Sequence, residues 1–277
     1  MAWAAVSASG GKGANEDLVA VHAHGGVTDI LVLDGGSSVA ERDHVDTASG
    51  DVAWFVRAFA SALGERLDAQ AAQDETVARA IDAVRADYLA RSAADPAPPH
   101  AWPIAAFTWI RVHGDALRLF CLGDCKTLLR TPGGEVRDLD PWINPQEAIL
   151  RDMLAALPPD PVQRKARLLP MLRKRRAAQN SAAAPSVLCV QPAGPFAARR
   201  HALRIDPGSS LLAMTDGFYR LSDPYDLYSP PALFAACLAR GLDAMLAELR
   251  AAEADGNGTA LAVKAADDAS AVLWTAA

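Results

Sequence analysis

An α+β chain, built from antiparallel sheets covered by helices, is the fold class that this 277-residue sequence predicts. Strand-like segments come in groups instead of alternating one for one with helices. Two neighbouring amphipathic stretches separate the first group from the second, and a last apolar strand follows a long helical stretch. The strand pairing stays open at this level, because alternative pairings fit the same periodicities.

Residues 2–8 and 17–24 read as strands flanking the Gly10-Gly11-Lys12-Gly13 turn, and 27–33 is an apolar run that stops at Asp34-Gly35-Gly36. From about 52 to 91 the period becomes helical. Trp54, Phe55, Phe59, Leu63 and Leu67 mark one amphipathic helix, and Val77, Ile81, Val84 and Tyr88 mark a second. Asp95-Pro96-Ala97-Pro98-Pro99 ends the second helix, since proline lacks the donor and disfavours helical geometry before it. Residues 104–112, 116–122 and 127–130, with turns at His113-Gly114-Asp115 and Pro132-Gly133-Gly134, predict a meander of hairpins.

The stretch from about 145 to 182 reads as an irregular helical insertion, cut by Pro158, Pro159 and Pro161 and carrying a basic cluster of Arg164, Lys165, Arg167, Arg173, Lys174, Arg175 and Arg176. The last third predicts strands at 186–190, 201–205 and 210–215, a helix at about 230–251, a loop at Asp255-Gly256-Asn257-Gly258 and a strand at 269–275. One domain spanning 1–277 is expected, because the chemistry-bearing motifs lie at both ends of the chain.

Bulk composition narrows the function classes. With 51% hydrophobic and 22% charged residues the chain is an ordinary globular one, and a net charge of -6 disfavours nucleic acid as the main partner. No apolar run approaches membrane-spanning length, and the opening residues lack the basic start of a secretory signal, so no membrane partner and a cytoplasmic location are expected. Cys121, Cys125, Cys189 and Cys237 include one C-x3-C pair without a histidine at zinc-finger spacing, which predicts reduced, partly buried thiols. The six histidines offer no ligand spacing beyond His22-x-His24. Trp102, Trp109, Trp142 and Trp274 read as core or loop anchors.

Five short acidic motifs adjoin apolar runs in a fixed order: Asn15-Glu16-Asp17, Asp34-Gly35-Gly36, Gly123-Asp124-Cys125-Lys126, Thr215-Asp216-Gly217 and Asp267-Asp268-Ala269-Ser270. Carboxylates at strand ends, dispersed over the chain, share one site only if the fold gathers them. Gathered together without a matching histidine or cysteine set, they favour a hard divalent cation.

In that order the motifs resemble those of the metal-dependent protein phosphatases, the type 2C family, over residues 10–275. The family pattern R-x-x-N-E-D, V-x-D-G, G-D-S-R, S-D-G and D-[DN]-x-[ST] has its counterparts here in G-K-G-A-N-E-D, V-L-D-G-G, L-G-D-C-K, M-T-D-G-F and D-D-A-S. The resemblance implies a central sandwich of two antiparallel sheets flanked by helices, a four-layer αββα arrangement. It implies a binuclear Mg²⁺ or Mn²⁺ centre, with a third ion in some members, in which Asp34 bridges two ions and Gly35 lends a carbonyl. Asp216 and Asp267 would hold the other ion, Glu16 and Asp17 would stand beside the metal waters, and Asp124 with Asp216 would form the third-ion site.

Two cations sharing a carboxylate acidify a water and neutralise phosphoryl charge during in-line attack, so no covalent phosphoenzyme is expected. Asp34, Asp216 and Lys12 are the residues assigned to catalysis, Lys12 taking the place of the family's phosphate-binding arginine. Lysine attracts phosphate as a point charge but lacks the bidentate fork of arginine. Gly36 stands where many members carry a histidine, and Lys126 replaces the arginine of G-D-S-R. Cys125, in place of the usual serine, receives no nucleophilic role.

The implied activity is phosphate removal from phosphoserine or phosphothreonine of a protein substrate. Two other readings fit the same residues: a phosphatase-like regulatory module without turnover, and a small-molecule phosphomonoesterase. Segment 164–176 is read either as a solvated helix face or as a surface for an acidic partner. Oligomeric state is left open.

Overall fold

A computed structural model describes residues 2–11, 13–144, 149, 153, 160–255 and 266–276. Its two antiparallel sheets pack face to face. The first contains β1 (Ala2–Ala8), β11 (Ala269–Thr275), β10 (Ser210–Met214), β6 (Lys126–Arg130) and β7 (Val136–Asp138), in that spatial order. The second runs β2 (Asp17–His24), β3 (Val27–Gly35), β4 (Ile104–His113), β5 (Ala116–Leu122) and β9 (Arg199–Arg204), with the short β8 (Leu188–Cys189) also paired to β4.

The two-residue period of β3 explains the layering. Ile30 and Val32 point between the sheets, where Ile110, Leu119, Leu211, Val272 and Trp274 meet them. Leu31 and Leu33 point the other way, onto α1 (Asp51–Gly64) and α2 (Gln73–Arg91), and pack with Phe55, Phe59, Ile81 and Tyr88. The outer face of the first sheet is covered by α5 (Pro230–Arg240) and α6 (Leu242–Ala254) through Leu212, Met214, Phe234, Met245 and Leu249. The four-layer αββα sandwich follows from burying both faces of both sheets.

Several expectations need correction. Residues 104–130 do not form one continuous meander, because β6 leaves β5 at Gly123 and joins the first sheet beside β10. The strands read at 2–8 and 17–24, whose pairing was open, fall in different sheets, β1 pairing with β11 and β2 with β3. The helix expected at 230–251 is two helices, divided at Gly241, whose φ of 83° no helix interior accommodates. Only Leu188–Cys189 of the expected 186–190 strand pairs, and β7 carried no sequence signal.

In the region read as an insertion, α3 spans Pro161–Asn180. The cluster 164–176 is more than a solvated face: Arg176 is buried, and Arg173 and Arg175 are turned partly inward. All four cysteines are free and fully buried, which is deeper than expected.

Candidate metal centre

The chain crosses between sheets at residues 9–16 and at 123–125, and these crossings lie at the same end of the sandwich as the C-terminus of β3, the C-terminus of β10 and the N-terminus of β11. Each acidic motif sits at one of these five points. Asp17 is directly opposite Asp34 in the β2–β3 ladder. The short α4 (Asp216–Tyr219) begins just after β10, and the Asp216 backbone N–H donates to Asp34 Oδ2 at 3.4 Å.

The glycines of two motifs allow this approach. A Cβ on Gly35 would lie 2.6 Å from both the Glu16 carbonyl oxygen and Val52 Cγ1, and one on Gly217 would overlap the Asp268 carbonyl.

Electrostatics shows how closely the carboxylates gather. Burial, followed by the charges of Asp216, Asp17 and Asp124, holds Asp34 well above the ordinary carboxylate range. Asp17 is pushed up in the same way, by burial and then by Asp216, Asp268 and Asp267, against the lowering effect of the 2.7 Å bond that Thr215 Oγ1 donates to it. Asp216 opens to solvent on one side, but its carboxyl is enclosed by protein and hydrogen-bonded to that of Asp34. That enclosure, with Asp124 and Asp267 nearby, raises it to about 6. Burial, followed by the charges of Asp34, Asp124, Asp17 and Asp216, pushes the Cys125 thiol well above its ordinary value.

The two carboxylates of the last motif divide the work. Asp268 Oδ1 accepts the Gly10 N–H at 2.9 Å and Oδ2 accepts the Glu16 N–H at 2.6 Å, so this residue clamps the first crossing. Asp267 contributes charge to Asp17 and Asp216 and is held by Arg220 Nη2 at 2.6 Å. Arg250 on α6 donates to the Asp267 carbonyl at 2.7 Å, and Glu253 accepts the Asp267 N–H at 3.3 Å.

Asp124 accepts from Asn144 Nδ2 at 3.1 Å. Glu16 is partly buried beside the charge of Arg176. Lys12 lies outside the described residues. Lys126 is tied to Asp138 Oδ2 at 3.2 Å and to the Trp142 carbonyl at 3.3 Å, which makes it a brace between β6 and the segment that follows β7.

Residues missed in the sequence supply the support. Arg220, one helical turn after Asp216, was visible in principle from its i, i+4 spacing. Thr215 bridges Asp17 and the Ser270 N–H, and Arg250, Glu253 and Asn144 had no local signal.

Oxygen donors alone, gathered at one end of the sandwich with Asp17, Asp34 and Asp216 raised by burial and by neighbouring charge, fit a hard dication that would neutralise them. A separate group, Cys121, Asp140 and His201, has donor atoms within 4.8 Å of one another. Arg199 already occupies it, donating to both Asp140 oxygens at 2.6–3.1 Å while Nη2 also donates to the Gly123 carbonyl at 2.6 Å. Burial also drives the Cys121 thiol up to about 12, so this group is an ion-paired brace for the Asp124 turn.

The family model described as Protein phosphatase 2C matches residues 8–254. The chain belongs to that family. No curated protein matches it. Among solved structures, the serine/threonine phosphatase of S. agalactiae is 12% identical with a TM-score of 0.58, over 98% of each chain. The Mycobacterium tuberculosis serine/threonine phosphatase PstP/Ppp is 16% identical with a TM-score of 0.56, over 98% of this chain and 97% of its own. The catalytic domain of PstP in complex with two manganese ions is 19% identical with a TM-score of 0.52, over 98% and 96%. At these identities the likeness to the solved phosphatases is one of fold. Among the described residues of this family member, no helix is long and apolar enough to cross a membrane.

Proposed function

We propose that this chain is a metal-dependent phosphomonoester hydrolase acting on phosphoserine and phosphothreonine of proteins. The observation that carries the reading is the convergence, at one end of the sandwich, of Asp17, Asp34, Asp124, Asp216 and Asp267, whose mutual repulsion is only partly offset by Arg220. Asp34, the Gly35 carbonyl, Asp216 and Asp267 would hold two Mg²⁺ or Mn²⁺ ions, with Glu16 and Asp17 beside them and Asp124 toward a third. The structure of a relative with two manganese ions supports that choice of metal. Ions bound there supply Lewis acidity toward a phosphoryl group and toward water.

The protein's own part is positioning. Thr215 and Asp268 hold the first, fourth and fifth motifs in register, and Arg220 orients Asp267. Burial and neighbouring carboxylates raise Asp17, Asp34 and Asp216, so cations held there would draw them back toward the ordinary carboxylate range. Lys12 is assigned to substrate phosphate by its place in the first motif. The physiological setting proposed is the cytoplasm, with a phosphorylated protein as partner.

Purified protein should release phosphate from p-nitrophenyl phosphate and phosphopeptides only with added Mg²⁺ or Mn²⁺, and Asp34→Ala or Asp216→Ala should abolish it. Activity independent of metal, or unchanged in both variants, would refute the assignment. Metal binding by calorimetry without turnover would instead favour a regulatory module.

A further inference from the structure

Helix α3 is seated across the mouth of the acidic centre. Asn180 donates to the carbonyls of Pro99 and Trp102 at 2.9 and 3.0 Å, Arg173 Nε donates to the Val39 carbonyl at 2.8 Å, and Leu168 is fully buried. Arg176 donates through Nη2 to the carbonyls of Gly36 and Ser37 at 3.1 and 3.0 Å. A Cβ on Gly36 would stand 3.2 Å from that nitrogen and 2.9 Å from Ile104 Cγ1, so glycine leaves the space that Arg176 uses.

Arg175 leaves the helix about 100° further round. It reaches the opposite lip, where Nη2 donates to Asn144 Oδ1 at 3.3 Å while Asn144 Nδ2 donates to Asp124. One lip is thus held by Arg176 and the other is approached by Arg175.

The cations around the centre differ in what they have left to offer. Arg220 is bound to Asp267 with Glu253 at 3.7 Å, Arg176 is buried and bound through Nη2 to two carbonyls, and Lys126 is bound to Asp138 and the Trp142 carbonyl. Among the described residues, partly buried Arg175 spends one long bond on a neutral amide, and its guanidinium fork feels the charge of Asp124 at the mouth. A guanidinium facing bound dications is repelled unless an anion stands between them. A tetrahedral dianion such as a phosphoryl group fits that gap, because the fork donates to two oxygens at once.

We propose that Arg175 binds the substrate phosphoryl group, and the inorganic phosphate left after hydrolysis, from the helix that crosses the mouth. This rests on the phosphomonoesterase reading and moves the main phosphate contact from Lys12 to α3.

The test is calorimetric titration of inorganic phosphate into the full-length, Mn²⁺-saturated protein, beside steady-state kinetics on p-nitrophenyl phosphate, for wild type, Arg175→Ala, Arg175→Lys and Lys12→Ala. Arg175→Ala should weaken phosphate binding and raise KM by about ten- to a hundredfold, the loss expected of charge-assisted hydrogen bonds. Mn²⁺ affinity and thermal midpoint should stay near wild type, and Arg175→Lys should restore part of the loss.

Phosphate affinity and KM within about twofold of wild type in Arg175→Ala, or the larger loss in Lys12→Ala, would overturn the assignment. A wild type that binds Mn²⁺ and phosphate but releases none from the ester would remove the phosphatase reading while the Arg175→Ala titration still decides this one. A metal-saturated wild type that binds no phosphate would overturn both.

Discussion

Replacing Asp268 with alanine separates the two neighbouring carboxylates of the last motif. Asp268 accepts backbone N–H groups of Gly10 and Glu16 at 2.9 and 2.6 Å, from a half-buried position. Each bond has a carboxylate acceptor, for which the net contribution is about 1.5–3 kcal/mol, and water at this open end recovers part of the loss. A destabilisation of about 2–4 kcal/mol remains, and for a chain of this length each kcal/mol lowers the melting temperature by roughly 2 °C.

Differential scanning calorimetry on metal-free protein should therefore show Asp268→Ala melting roughly 4–8 °C below wild type. Asp267→Ala should behave in the opposite way. It relieves repulsion on Asp17 and Asp216 at the cost of the Arg220 pair, so its stability loss should be the smaller while its calorimetric affinity for Mn²⁺ falls the further. If Asp268→Ala melts with wild type, or if Asp268→Ala loses more metal affinity than Asp267→Ala, the two carboxylates do not divide the work in this way.

Two further outcomes follow from the same charges. Asp34→Asn removes a half-buried carboxylate from among like charges, so the metal-free variant should melt about 2–4 °C above wild type yet show no shift on adding Mn²⁺, a trade of stability against function. A lower melting point without metal would contradict this. Asp140 is buried, which raises its pKa, but bonds from Arg199 and His201 outweigh that and hold it below the ordinary value. Its stabilisation is therefore present above about pH 4 and is lost as pH falls through the depressed native value. Asp140→Asn should cost about 3 kcal/mol at pH 7 by urea denaturation, a cost that shrinks toward pH 3, and a pH-independent difference would refute the linkage.

Strand periods are local, and so they were legible. The bounds of β1, β2, β5 and β11 agree with those read from the sequence, because alternating apolar residues and glycine-rich turns act over a few positions. The division of 230–251 was missed because a glycine within an apolar helical pattern reads as a tolerated weak point, and the φ of Gly241 is a property of the packed chain. The switch of β6 to the other sheet was equally hidden. Leu128 and Leu129 have apolar partners in either pairing, and only the packing of β10 beside β6 selects one.

At the site, the acidic residues were readable because each lies where an apolar run meets a polar turn, whereas Arg175 and Arg176 read as two members of a basic run. Which face of α3 they occupy depends on Val39, Pro99 and Trp102, more than seventy positions away. By itself the sequence determined two sheets with helices and an ordered set of carboxylates suited to a hard cation, since chain-local period and side-chain chemistry are written residue by residue. Tertiary structure decided which carboxylate clamps and which faces the centre, and which arginine is buried against the Gly36 lip and which reaches toward Asn144. Those outcomes come from partners brought together only when both faces of each sheet are buried.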